Sequence, residues 1–158
     1  MAYGKLKVDT ITYDNSGSDV DVLVSALAGA GSTAGTGSTN TFTALQTLNA
    51  GLTVDGPYKQ TAEAVGALDI SLATGNYFTK TISGNSTFTF SNPPASGTAG
   101  TFTLELTHTS GTVTWPASVK WPADTAPTLT TGKTHLFVFV TDDGGTRYRG
   151  AALADYVN

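Results

Sequence analysis

Thr101 to His108, TFTLELTH, alternates without a break: Phe102, Leu104 and Leu106 share one side, while Thr103, Glu105 and Thr107 share the other. A period of two is that of a β-strand with one face in a core and one facing out. Ser86 to Ser91, STFTFS, repeats the pattern with Phe88 and Phe90 against Thr87 and Thr89. His135 to Asp142, HLFVFVTD, is a continuous apolar run of β-branched and aromatic residues, which predicts a strand buried on both faces. Ser83-Gly84-Asn85, Ser110-Gly111 and Asp143-Gly144-Gly145 supply reversals between these runs. Strands at this spacing predict an all-β fold whose C-terminal part is a β-sandwich or jelly-roll-like domain.

Between the strands lies Thr112 to Pro122, TVTWPASVKWP. Proline disfavours the helical region for the residue before it, so Trp115 and Trp121 are extended. Pro116 and Pro122 lack a donor and suit strand ends or edges. Two short extended pieces follow, with their indoles capping one end of the core. Trp115, Trp121 and a surface Tyr148 are also the candidates for stacking on a sugar, weighed against the commoner use of such rings as buried scaffolding.

The chain has 158 residues, enough for one ordinary domain, or for a smaller domain carrying an arm. Only 13% of residues are charged, about half the usual share of roughly 25%, and threonine and glycine fill the gap. The formal net charge is −4 and no basic cluster is expected, since Lys5 and Lys7 stand alone, as do Arg147 and Arg149, which disfavours sequence-independent binding to nucleic acid. There is no cysteine, so disulfides and thiolate metal sites are excluded. Met1 to Lys5 lacks the apolar run of a signal peptide. Val20 to Ala30 is interrupted by Asp21 and too short to span a bilayer, so no membrane insertion is expected.

Three parts follow along the chain. Residues 1 to 28 form an N-terminal arm of two strands, Lys5 to Tyr13 and Asp19 to Val24, with a turn at Asp14 to Ser18. Its strand-forming residues Val8, Ile11, Tyr13, Val20, Val22 and Val24 have too little chain around them for a core, so they are the candidates for docking on a partner. Residues 29 to 59 are a Gly/Ser/Thr linker followed by a short stem that includes Phe42, Leu45, Leu48, Leu52 and Val54. Residues 60 to 158 are the β-domain, opening with strands in Gln60 to Leu72 and Asn76 to Ile82.

Catalytic chemistry is not apparent. No G-x-S-x-G occurs, and His108 and His135, the only imidazoles, lie at strand termini, where a structural or solvent-facing role is expected. Asp14, Asp19 and Asp21 offer oxygen ligands of the kind calcium prefers, but without EF-hand spacing. Asp142 and Asp143 precede glycine and read as turn chemistry. Glu105 is expected to face solvent. No metal, cofactor or catalytic residue is assigned.

Three sets of residues carry a resemblance. D-x-S-x-x-x-G-N at Asp69 to Asn76, T-F-x-F-S-N-P-P at Thr87 to Pro94, and T-V-T-W-P with K-W-P resemble a domain found near the C-terminus of bacteriophage tail-fibre and virion structural proteins. The start, GKLKVDTITYDNSGSDVDV, is similar to N-terminal segments of cyanophage structural proteins, and NTFTALQTLNAGLTVDG to the stems before fibre tips. The resemblance implies a non-enzymatic, β-structured homotrimer on a virion, made in the host cytoplasm and attached to capsid or tail proteins. The chain is shorter than a long fibre and has almost no shaft. Thr-rich strands and the apolar run Leu136 to Val140 leave surfaces that threefold closure would cover, with Phe and Trp side chains expected near the axis. The alternative function is a carbohydrate-binding module that recognises host surface glycans.

Overall fold

The computed structural model describes residues 10–15, 18–23 and 51–157. The chain divides into two units, Met1–Thr53 and Val54–Asn158. In the first, β1 (Thr10–Asn15) and β2 (Ser18–Leu23) form an antiparallel hairpin that pairs Ile11 with Val22, Tyr13 with Val20 and Asp14 with Asp19. Pairing runs through Asp14, Asn15 and Ser18, so the reversal is tighter than the expected Asp14-to-Ser18 turn. Val8, Val24, residues 29 to 41 and the stem residues Phe42, Leu45 and Leu48 lie outside the described residues.

Residues 51 to 62 form no strand, and Leu52, near the end of the first unit, and Val54, at the start of the second, are exposed. Ten strands follow: β3 (Glu63–Ala64), β4 (Asp69–Ser71), β5 (Tyr77–Ser83), β6 (Ser86–Thr87), β7 (Thr89–Ser91), β8 (Gly100–Ser110), β9 (Val113–Thr114), β10 (Val119–Lys120), β11 (Lys133–Thr141) and β12 (Tyr148–Tyr156). Among the described residues one short 3-10 turn, Pro122–Asp124, starts at the second Trp-Pro pair, with Ala123 and Asp124 at φ of 52° and 55°. The described residues are therefore all-β, and none of their helices is long and apolar enough to cross a membrane.

Six strands make one mixed sheet in the order β10-β12-β11-β8-β5-β3. The pairs β8–β11 and β11–β12 are antiparallel; β3–β5, β5–β8 and β10–β12 are parallel. The remaining strands form two short parallel ladders, β4–β7 and β6–β9. Parallel neighbours need a crossover connection. Here the crossovers are strands: the chain leaves the sheet after β5, runs through β6 and β7, and returns as β8. Segment 86 to 91 changes partner at Phe88, whose amide donates to Thr114 O, while the next amide, Thr89, donates to Leu68 O.

The alternation in TFTLELTH is realised as expected, with Phe102, Leu104, Leu106 and His108 buried on one face. Register places Phe78 beside Leu104 and Leu104 beside Phe137, with Phe102 beside Phe139. The ladders contribute Ile70, Phe88 and Phe90 to this same core. Phe90 is the central link, its ring 5.1 Å from Phe102, 5.0 Å from Phe139 and 5.0 Å from Tyr148, all edge-on.

Two expectations are corrected. β11 is not buried on both faces: His135, Phe137 and Phe139 are fully covered, but Val138 on the opposite face is 38% exposed. The indoles do not cap one end; Trp115 and Trp121 lie 4.7 Å and 6.0 Å from Phe137, the middle residue of β11. Phe78, Phe88, Phe102, Phe137 and Phe139 are buried in the core of this unit.

Two close approaches explain particular glycines. Gly111, at φ +90°, brings its turn so near the Ser83-to-Asn85 turn that a Cβ there would sit 2.1 Å from the Gly84 carbonyl carbon. The two predicted reversals are thus one contact, tied by the Thr112 amide donating to Asn85 Oδ1 at 3.0 Å. Gly150 leaves room for an indole: a Cβ there would lie 2.8 Å from Trp121 Cζ3.

Candidate functional site

Each aromatic candidate for ligand stacking meets a different environment. Tyr148 is 2% exposed, not a surface residue, and burial followed by the nearby Asp143 carboxylate raises its pKa above the ordinary tyrosine value. Trp115 has Phe88 stacked on it at 5.3 Å and 16°, with Phe137, Phe139 and Trp121 crowding the ring within 5.5 Å. The face of Trp115 taken by Phe88 is not available as a sugar platform. Trp121 is half-buried and keeps an accessible margin.

That margin borders a shallow groove of about 310 Å³ lined by Lys120, Trp121, Pro122, Arg147, Arg149 and Gly150. Basic residues that stand apart in the sequence meet here, correcting the expectation that Arg147 and Arg149 form no cluster with another cation. The cause is β10–β12 pairing, which sets Lys120 beside Arg149. Asp142 Oδ1 accepts from Arg147 Nη2 at 3.2 Å and from Arg149 Nη1 at 3.5 Å, which offsets part of the positive charge. Lys120 Nζ donates to Ala117 O at 3.0 Å. Buried Arg147 Nε has no protein acceptor among the described residues.

The loop beneath the groove is the expected Asp-Gly reversal. Asp143 Oδ1 accepts from the Arg147 amide at 3.0 Å, and Gly144 and Gly145 take φ of 72° and 78°. That amide hydrogen bond is the largest of the effects that hold the Asp143 pKa below the usual carboxylate value. The acids here organise a turn, as their position before glycine predicts.

Both histidines are buried, at 5% for His108 and 0% for His135, which selects the structural reading over the solvent-facing one. The Asp155 amide donates to His135 Nδ1 at 3.2 Å, which leaves Nε2 to donate to Thr130 O at 3.2 Å. His108 Nε2 lies 2.8 Å from Gly111 O. The rings pin strand ends to neighbouring loops. Glu105 is half-buried and accepts from the Tyr77 hydroxyl at 2.6 Å, a bond that raises the tyrosine pKa. Among the described residues no group of three His, Cys, Asp or Glu could hold a metal ion.

The motifs that carry the phage resemblance meet each other in space. β4 and β7 pair Asp69 with Thr89 and Ser71 with Ser91. The Asp69 carboxylate accepts from Thr89 Oγ1 at 2.7 Å and from Ser91 Oγ at 2.6 Å, and Asn92 Nδ2 donates to Ser71 Oγ at 2.9 Å. The Ser91 bond, then the Thr89 bond, lowers the Asp69 pKa. D-x-S and T-F-S-N thus form one polar clasp holding the short ladder together. Of the candidate docking residues, Ile11, Tyr13, Val20 and Val22 occupy facing register positions in the hairpin. No protein-family model, no curated protein and no solved structure matches this chain.

Proposed function

We propose that this chain is a non-enzymatic structural protein of a bacteriophage virion, a short fibre-like or decoration protein of capsid or tail. Its N-terminal arm anchors it, and its C-terminal unit is a β-sandwich-like tip displayed as a homotrimer. The observation that carries the reading is the division into a β1–β2 hairpin unit and a separate unit with its own aromatic core. A two-stranded hairpin is marginal alone and gains stability when a partner strand or face receives it. The clasp between Asp69 and the Thr89–Ser91 strand adds support, because the motifs read as resembling phage fibre domains become one structural device. Deleting residues 1 to 28 tests the anchor: the truncated protein should stay folded and trimeric but no longer enter particles. Co-purification with virions at wild-type stoichiometry would refute it.

A second reading, carbohydrate binding at the host surface, is favoured by one observation, the Trp121 groove with Lys120, Arg147 and Arg149. A glycan array separates the two: retention of saccharides that is lost in Trp121→Ala with the fold intact supports the module, and a blank array removes it.

A further inference from the structure

The face of the six-stranded sheet opposite the core carries an apolar stripe among threonines and charged residues. Leu136, Val138 and Val140 alternate with the buried Phe137 and Phe139 and so point the other way. Register extends the stripe sideways, setting Leu153 beside Leu136 and Ala151 beside Val138. Val138 is 38% exposed, Leu153 60% and Tyr156 43%. Both short ladders of this unit lie on the Phe137 side and leave this stripe uncovered.

We propose that a second copy of the chain packs on this face, so that the homotrimer of the preceding section, on which this inference rests, closes sheet face against sheet face around Leu136, Val138, Ala151 and Leu153. Four observations favour a like copy. First, HLFVFV has the composition of a strand covered on both sides, and the protomer covers only one. Second, edge pairing is an unpromising route, because the sheet ends on both sides in two-residue strands, β3 and β10. Third, the size is right: four strands at about 4.8 Å spacing and about 3.4 Å per residue give a face on the order of 500 Å². Two such faces bury about 1,000 Å², the lower bound for a specific interface.

The fourth observation concerns polar groups. A face that is to lose water must not strand donors and acceptors. On this face Glu105 already accepts from Tyr77 at 2.6 Å, and Thr107 Oγ1 and Thr134 Oγ1 are 3.2 Å apart as a hydrogen-bonded pair. On β8, Thr103 is opposite Val138 and Thr101 opposite Val140, while the charged neighbours sit at the two ends of the stripe, Glu105 opposite Leu136 and Arg149 of β12 opposite Val140. Around Val138 itself both neighbours, Thr103 and Ala151, are uncharged, as at the centre of an interface with charges at its rim.

The test uses the full chain. Sedimentation equilibrium should give wild-type protein three times the 16.2 kDa protomer mass, and the double variant Val138→Lys/Leu153→Lys should show a threefold drop with unchanged far-UV circular dichroism. Because the chain has no cysteine, Val138→Cys adds a single thiol, and a maleimide should label it at least about tenfold more slowly in concentrated than in dilute solution. This second variant answers the question even where the charged pair fails to fold. Three results overturn the proposal: a monomeric wild type, an oligomer that keeps its mass in the double variant, or labelling independent of concentration. Slow labelling in a protein of one-protomer mass would mean that the chain covers its own face, which also overturns it. An oligomer that survives the double variant removes this interface and leaves the trimeric virion reading standing, whereas particle incorporation without residues 1 to 28 removes the anchor and leaves the interface.

Discussion

Phe90 joins a three-residue ladder strand to the main sheet, and truncating it should cost more than its half-buried position suggests. Removing the ring in Phe90→Ala takes on the order of 100 Å² of apolar contact out of the core, about 2.5 kcal/mol at roughly 25 cal/mol per Å². It also dissolves three edge-on contacts, to Phe102, Phe139 and Tyr148 at 5.0 to 5.1 Å. At about 0.5 kcal/mol each, these bring the loss to about 4 kcal/mol, inside the range of roughly 3–5 for Phe→Ala in a core. For a domain of this size that is a fall in Tm of about 20 °C. Phe90→Leu keeps most of the apolar volume, loses the edge contacts and should cost about 1.5 kcal/mol. The assay is urea unfolding at one fixed protein concentration, followed by tryptophan emission, since both indoles pack against Phe137 and Phe139. A loss below about 1 kcal/mol in the alanine variant would show that the ladder is held by its backbone bonds and that Phe90 is not the link.

Gly150→Val should cost about 1–3 kcal/mol and red-shift tryptophan emission, because the new side chain meets Trp121 Cζ3 at 2.8 Å; unchanged emission and melting would refute the slot. Asp69→Asn should destabilise at neutral pH, and the gap to wild type should close on acidification. The folded pKa of Asp69 lies below its unfolded value, so its contribution is complete above about pH 4 and is lost as pH falls through the folded value; thermal melts from pH 7 to pH 2 test this, and a constant gap would count against it. Chelation with EDTA should leave Tm unchanged, since no metal is assigned; a fall of several degrees would revive Asp14, Asp19 and Asp21 as ligands.

What the sequence reveals here is what short range controls. The alternation of Phe102, Leu104 and Leu106 and the reversal at Asp143 to Gly145 are local, and both appear as read. β12 escapes notice because Gly150, Ala151, Ala152 and Ala154 have weak strand propensity; the flanking strands β10 and β11 impose its conformation, and its small residues make room for Trp121. The Asp69 clasp spans 20 to 22 residues, and the groove needs Lys120 beside Arg149. Such meetings depend on parallel register, which no local pattern encodes. Tyr148 illustrates the same limit, since a tyrosine between two arginines reads as surface until Phe90 is found against its ring.

The strand order also fixes when this unit can fold during synthesis. β10 has no sheet partner except β12, and β11 obtains its second neighbour only from β12, the last strand in chain order. A nascent chain stalled before Tyr148 therefore lacks one flank of the sheet and the tyrosine against which Phe90 packs. Most pairings join distant residues, which makes folding slow and late. The delay has a benefit at a polysome, where like chains emerge side by side. The apolar stripe that attracts another copy is shared between β11 and β12, so it is assembled only when each chain has completed its own sheet. Neighbours then meet as finished surfaces instead of exchanging strands.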